Sequence, residues 1–291
     1  MSAADDISRD LPVAPYEQLV FSGGGLRCFW HGGWMEVVSD VTTFQPARVT
    51  GSSGGALSAA AFLAGRETHL LERFKHALES NDTNLTLDDI QSDDDGRSAH
   101  QRIYDAIVHD VIDATAQARI ADGPAFQISV STPGDTSGAA LRALLGGAIY
   151  QLEQIVAPTP RPRLSSIAGV EQRLIDAREA ARKGLLPDLI RMAATVPPAF
   201  RADTWDGEPI FDGGMVDKAP LPEPDEGRTL VLLTKRFHAL PSDQDDDRIT
   251  YIQPSETVLS GSKLDFTDPT LLEEAWAQGR KDGRDWLEQR D

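Results

Sequence analysis

The chain has a single cysteine, Cys28, in 291 residues. An intrachain disulfide is therefore excluded, and nothing requires an oxidising compartment. Basic residues are also scarce: 28 Lys and Arg stand against 46 Asp and Glu, a formal net charge of -18. A field of that sign repels nucleic-acid backbones and anionic bilayer surfaces alike. No run approaches the roughly 18 apolar residues of a membrane span, and the N-terminus, M-S-A-A-D-D-I-S-R-D, has no basic start leading into an apolar stretch. The expectation is a cytoplasmic chain with no nucleic-acid partner. Any membrane contact would be peripheral and transient, resting on apolar groups or a local basic patch. The six histidines do not combine with acidic or cysteine neighbours at metal-site spacing. The acidic run Asp88, Asp89, Asp93, Asp94, Asp95 lacks the glycine and closing glutamate of a calcium loop and reads as a solvated surface. No metal and no cofactor is expected, no internal repeat is found, and the oligomeric state is not encoded in any recognisable way.

What is present is the composition of a globular protein, 40% hydrophobic and 25% charged. Residues 1–15, acidic and rich in Ala and Pro, read as a flexible arm, and residues 16–291 as one domain. A strand at 18–22 runs into Gly23-Gly24-Gly25 and a helical pattern from Leu26 to Val38. A second unit repeats the plan, with a short strand Arg48-Val49-Thr50, the turn 51–55 and a small-residue helix Ala56–Ala64. Such strand, glycine turn and helix units predict an α/β fold with a mostly parallel central sheet flanked by helices. Helices are further predicted over 67–79, 99–119, 170–183, 185–194 and 269–289, and strands over 126–131, 229–235 and 249–252. Between 141 and 156 the residues Leu141, Leu144, Leu145, Ala148, Ile149 and Leu152 form one apolar helical face. It suits either a core helix or a wall for an acyl chain.

Three glycine turns carry the chemistry. G-S-S-G-G at 51–55 fits the G-x-S-x-G elbow, a sharp strand-to-helix turn that presents its middle serine, Ser53, at a helix N-terminus. Gly23, Gly24 and Gly25 expose backbone N–H groups that suit the oxyanion of an acyl-transfer intermediate. A dinucleotide turn is excluded because Cys28 stands where its third glycine belongs, and a phosphate loop because no Gly-Lys-Ser/Thr ending follows. A serine hydroxyl needs a base, and Asp212, between Ile210-Phe211 and Gly213-Gly214, is placed at a strand end in a tight turn. His238 follows Asp212 in the order of a Ser-Asp-His triad, so a triad stands as an alternative to a dyad.

In this order the blocks G-G-G-L-R at 23–27, G-S-S-G-G at 51–55 and D-G-G at 212–214 resemble the patatin-like phospholipase family, helped by A-A-T-V-P-P-A-F at 193–200 and Pro220-Leu221. The resemblance spans about residues 17–221. It implies a patatin-like three-layer architecture and hydrolysis of fatty-acyl esters of phospholipids or lysophospholipids through an acyl-enzyme. It also implies a Ser53–Asp212 dyad and an oxyanion hole from Gly23, Gly24 and Gly25. Arg27 matches the family's basic position, where it could meet a lipid phosphate; a structural ion pair is the other reading. Two positions depart from the family pattern: Cys28 replaces a glycine, and Lys218-Ala219 replace asparagines. A patatin-fold binding or effector protein with little or no turnover is the alternative function these departures leave open.

Overall fold

The computed structural model describes residues 11–81, 97–133, 160, 170–196, 200–240, 247–263 and 265–289. Its frame is an eight-stranded sheet. Strand β1 (Gln18–Phe21) is buried along its whole length, as a central parallel strand covered on both faces must be. It lies between β2 (Arg48–Ser52) and β7 (Thr229–Leu232), with β3 (Ala125–Pro133) beyond β2 and β8 (Ile249–Ile252) beyond β7, all parallel. Three further strands run antiparallel: β4 (Val170–Asp176) and β6 (Glu208–Asp212) both pair with β3, and β5 (Asp203–Trp205) pairs with β6. The mixed α/β architecture with mostly parallel strands and flanking helices is the one expected.

Register is what makes this sheet useful. β2 accompanies β3 only as far as Ser52 opposite Ser129, and the next position of β3, Val130, is paired with Asp212 of β6. Because β4 occupies the other edge of β3 throughout this stretch, β6 takes over the edge that β2 leaves. The chain after Ser52 and the end of β6 therefore meet, which joins two segments 159 residues apart.

Helices α1 (Phe29–Ser39), α2 (Gly54–Ala64), α3 (Glu67–Glu79), α4 (Ala99–Val111), α5 (Ala114–Asp122), α6 (Ala177–Arg182), α7 (Leu186–Met192) and α8 (Thr270–Glu288) contribute to one large core against the face that bears Leu19, Phe21, Leu230 and Leu232. Among the described residues the opposite face, with Val20 and Val231, is covered by Ala219, Leu221, Phe237 and Leu240 from loop segments. Helix α1, which leaves the first glycine turn, is clamped by α8. A Cβ at Gly33 would collide with the Trp276 carbonyl, and one at Gly279 with the Trp30 carbonyl. The two backbones thus touch where side chains are missing, and Trp30 Nε1 donates to Asp282 Oδ2 at 2.7 Å beside the contact.

Several local expectations are corrected. The helix expected over 99–119 is two helices, because Asp113 caps α5 by accepting from the Ala116 N–H at 2.8 Å. The helix expected over 170–183 is β4 followed by α6. Pairing with β3 overrides helix propensity, and Asp176 accepts from the Arg178 and Glu179 amides to start the short helix. The first helical pattern opens as a 3-10 turn over Gly25–Cys28 before α1 begins. Within the stretch read as an arm, Pro12–Ala14 hydrogen-bond along Thr43 and bury Ala14. The apolar face at 141–156 and the five acidic residues between 88 and 95 lie outside the described residues. No described helix is long and apolar enough to cross a membrane.

Candidate active site

Ser53 sits between β2 and α2 with φ 53° and ψ -133°, a backbone conformation that costs an L-residue on the order of 1–3 kcal/mol. Its neighbours explain why the turn tolerates nothing larger than glycine. A Cβ at Gly51 would lie 2.6 Å from Ala56 Cα, and one at Gly55 would strike the Phe21 carbonyl of β1. The turn divides its two serines by direction. Ser52, fully buried, donates from Oγ to the Asp217 carbonyl at 3.2 Å, whereas Ser53 Oγ donates to Asp212 Oδ2 at 2.6 Å.

Asp212 is held from every side. Its N–H donates to the Thr195 carbonyl at 2.8 Å, its own carbonyl accepts from Ser131 Oγ at 2.8 Å, and its Oδ1 accepts from the Gly214 N–H at 2.7 Å. Gly213 has no room for a side chain because a Cβ there would enter the Ser129 carbonyl of β3. Burial pushes the Asp212 carboxyl up to about 6, opposed in turn by the hydrogen bonds from Ser53 and Gly214 and by the charge of Lys263.

The first glycine turn lies against the elbow: a Cβ on Gly23 would be 3.2 Å from Ser53 Cβ. Gly23, however, donates its N–H to the Lys218 carbonyl at 2.8 Å while its carbonyl accepts from Thr234 Oγ1 at 2.8 Å. That N–H is engaged, which narrows the expected set of three oxyanion donors to Gly24 and Gly25. Their amides have no acceptor among the described residues. Gly25 adopts φ 58°, which favours glycine, and the turn is fastened on its far side by Leu26 N–H donating to the Lys263 carbonyl at 3.0 Å.

Arg27 forms no ion pair among the described residues. Its Nε donates to the Gly24 carbonyl at 3.3 Å, and burial lowers its pKa from the ordinary guanidinium value. Cys28, the departure at a glycine position, is buried behind the elbow with Sγ 3.0 Å from where a Gly54 Cβ would sit. Burial pushes its thiol up to about 12, so it is a neutral filler. His238 is exposed after β7 and does not line the cleft. His31 does line it, but its Nε2 lies 3.2 Å from the Leu232 carbonyl and burial lowers it to about 3. No histidine stands between Ser53 and Asp212, since the two side chains touch directly.

Ser53 and Asp212 open on a cavity of about 180 Å³ whose other walls include Phe29, Leu57, Phe62, Leu70, Phe74 and Phe266. Lys218 and Lys263 line the same cavity. Sequence reasoning noticed Lys218 only as a departure and missed Lys263 altogether; the sole signal was a lysine in an acidic C-terminal stretch. It also missed the cavity walls on α2 and α3, although the Leu70 and Phe74 spacing marks that face. Elsewhere Asp105, His109 and Asp188 converge closely enough to share a cation. Buried Arg191 already pairs with Asp105 at 3.2 Å and with Asp203 at 2.9 Å, which gives that corner a structural explanation.

A search of curated proteins finds no match. Among solved structures the fold is similar to VipD from Legionella pneumophila, at 12% identity and a TM-score of 0.48, covering 95% of this chain and 67% of that one. The family model described as patatin-like phospholipase matches residues 19–225, well over half of the 291 residues, and its span contains all three glycine turns and both members of the Ser53–Asp212 pair. The chain belongs to the patatin-like phospholipase family.

Proposed function

We propose that the chain hydrolyses fatty-acyl esters of phospholipids or lysophospholipids, with Ser53 as nucleophile and Asp212 as its base. The observation that carries this reading is the 2.6 Å hydrogen bond from Ser53 Oγ to Asp212 Oδ2 at the polar end of an apolar cavity. In the first half-reaction Ser53 Oγ attacks the ester carbonyl carbon and gives its proton to Asp212. The oxyanion is received by the amides of Gly24 and Gly25. Collapse of that intermediate breaks the carbon–oxygen bond of the alcohol, which leaves with the proton from Asp212. In the second half a water gives its proton to Asp212 and attacks the acyl-enzyme; Ser53 leaves, recovers the proton, and the fatty acid is released.

The environment of Asp212 supports this role. A carboxyl raised to about 6 is a stronger base than an exposed aspartate yet is still mostly ionised at neutral pH. The reaction uses no group other than side chains, backbone amides and water. Substrate would be met during transient contact with a lipid surface, since the apolar cavity suits the acyl chain. Release of fatty acid from mixed phospholipid liposomes, compared between the wild-type chain and Ser53→Ala, tests the proposal. Ser53-dependent release is the expected result, and liposomes left intact by a folded wild-type chain would refute it.

A further inference from the structure

Two helices start near the reacting pair and lead away from it side by side. Strands β1 and β2 are parallel neighbours, and each runs into a glycine turn that opens a helix, α1 after the first turn and α2 after Ser53. Along α2 the cavity is lined by Gly54, Leu57, Ser58, Ala61 and Phe62. On the facing side it is lined by Cys28, just before α1, and by His31, Gly32 and Met35 within it. Both sets recur at i, i+3, i+4 and i+7, which is one face of a helix. A cavity lined by whole faces of two such helices is a channel along them. With a rise of about 1.5 Å per residue, the α2 face from Gly54 to Phe62 is about 12 Å long.

The polar groups along this channel are engaged elsewhere. Ser58 Oγ donates to the Cys28 carbonyl at 3.3 Å, and His31 Nε2 lies 3.2 Å from the Leu232 carbonyl. The far end differs. Glu67, in the first turn of α3, also lines the cavity. It follows the last turn of α2, where Arg119 donates to the Ala64 carbonyl at 3.2 Å and acts on Glu67 by its charge. Burial raises the Glu67 carboxyl above its ordinary value, opposed by its own backbone N–H and by Arg119. Among the described residues Asp212 and Glu67 are the carboxylates that line the cavity, one at each end of α2. A hydrocarbon extending past Phe62 would have to strip water from the second of them, which is costly.

We propose that these helix faces measure the acyl chain, so that one of about ten carbons reaches from Ser53 to Phe62 and longer ones are turned back at Glu67. An extended acyl chain advances slightly less per carbon than a helix does per residue, which sets that count. The measure rests on the acyl-hydrolase reading above for its starting point at Ser53, and it narrows the substrate class to medium-chain esters. Each methylene taken from water into the channel is worth about fourfold in binding, so preference should climb steeply up to that length and then turn down.

The test compares alkyl fluorophosphonates with chains of four to sixteen carbons, each below its aggregation concentration, by the rate at which they label Ser53. The rate is expected to rise about fourfold per carbon, to peak near ten carbons and to fall about tenfold by sixteen. Glu67→Leu should favour the sixteen-carbon probe over the ten-carbon one by about tenfold relative to wild type. Ala61→Leu, which narrows the last turn of α2, should move the peak to shorter chains. A rate that ignores length or climbs unbroken to sixteen carbons would overturn the measure, while Ser53-dependent fatty-acid release from liposomes would leave the hydrolase standing. A folded Glu67→Leu chain with the wild-type profile would refute Glu67 as its end. Calorimetric titration of hexanoate, decanoate and tetradecanoate into Ser53→Ala reads the channel without turnover. Tightest binding of decanoate supports the measure even if the hydrolase reading fails. Equal or absent binding, or tightest binding of either other chain, overturns it.

Discussion

The two sides of the cleft at Ser53 are built by different means. Its apolar side comes from helix faces close in sequence, with Leu57 and Phe62 on α2 and Leu70 and Phe74 on α3, so local periodicity assembles it. Its cationic side comes from Lys218 and Lys263, which local periodicity does not bring together. One side is apolar and the other carries two lysines, and the Ser53–Asp212 bond lies where they meet.

Removing the junction makes both sides idle, so the largest effect is expected there. Ser53→Ala should lower turnover of any ester by about 1000-fold or more, because among the described residues no other hydroxyl is bonded to the Asp212 carboxylate. Fatty-acid release from the purified, folded variant measures it. A narrower change sharpens the contrast between the sides. Leu57→Phe intrudes into the apolar cavity and should reduce kcat/KM for a long-chain ester about tenfold more than for a short one, as pocket contacts of this size usually do. A uniform loss on both esters, together with a lowered melting temperature, would show that Leu57 is ordinary core.

The pH profile probes how the cationic side acts on the junction. Asp212 must be ionised to accept a proton, and its pKa is raised to about 6, so kcat/KM should be flat above that pH. Below it activity should fall about tenfold per unit as the carboxyl is protonated. Lys263 lowers the Asp212 pKa by its charge. Lys263→Met should therefore move this limb toward higher pH, which a stopped assay on a soluble ester across pH 4.5–8 would reveal. An unmoved limb would separate Lys263 from the base. The smallest effect is expected at Ser52. Losing its bond to the Asp217 carbonyl costs about 1 kcal/mol of stability, visible as a modest fall in Tm with little change in turnover.

The same contrast explains how much the sequence discloses. The glycine turns at 23–25, 51–55 and 212–214 are legible because each is a contiguous run of small residues that follows a short apolar stretch. Parallel strands β1, β2 and β7 are legible as short buried runs. Features that depend on distant partners are not. β4 reads as a helix until β3 pairs with it. The engagement of the Gly23 N–H depends on a carbonyl 195 positions later, so a third amide for the proposed oxyanion hole looks available in the sequence and is taken in the fold. Arg27 poses the same difficulty: its two readings separate only when its surroundings are seen, and they contain lysines rather than a carboxylate.

The central claim, that Ser53 is activated directly by Asp212, is tested most directly by the rate at which a fluorophosphonate probe labels the chain, followed by intact-protein mass spectrometry. Four chains are compared: wild type, Ser53→Ala, Asp212→Asn and His238→Ala, each checked for folding by circular dichroism. A single adduct on Ser53 is predicted in the wild type, at nearly the same rate in His238→Ala, with none in Ser53→Ala and labelling slowed by about 1000-fold or more in Asp212→Asn. A folded His238→Ala chain that labels as slowly as Asp212→Asn would contradict the account, because the proton would then be carried by an imidazole.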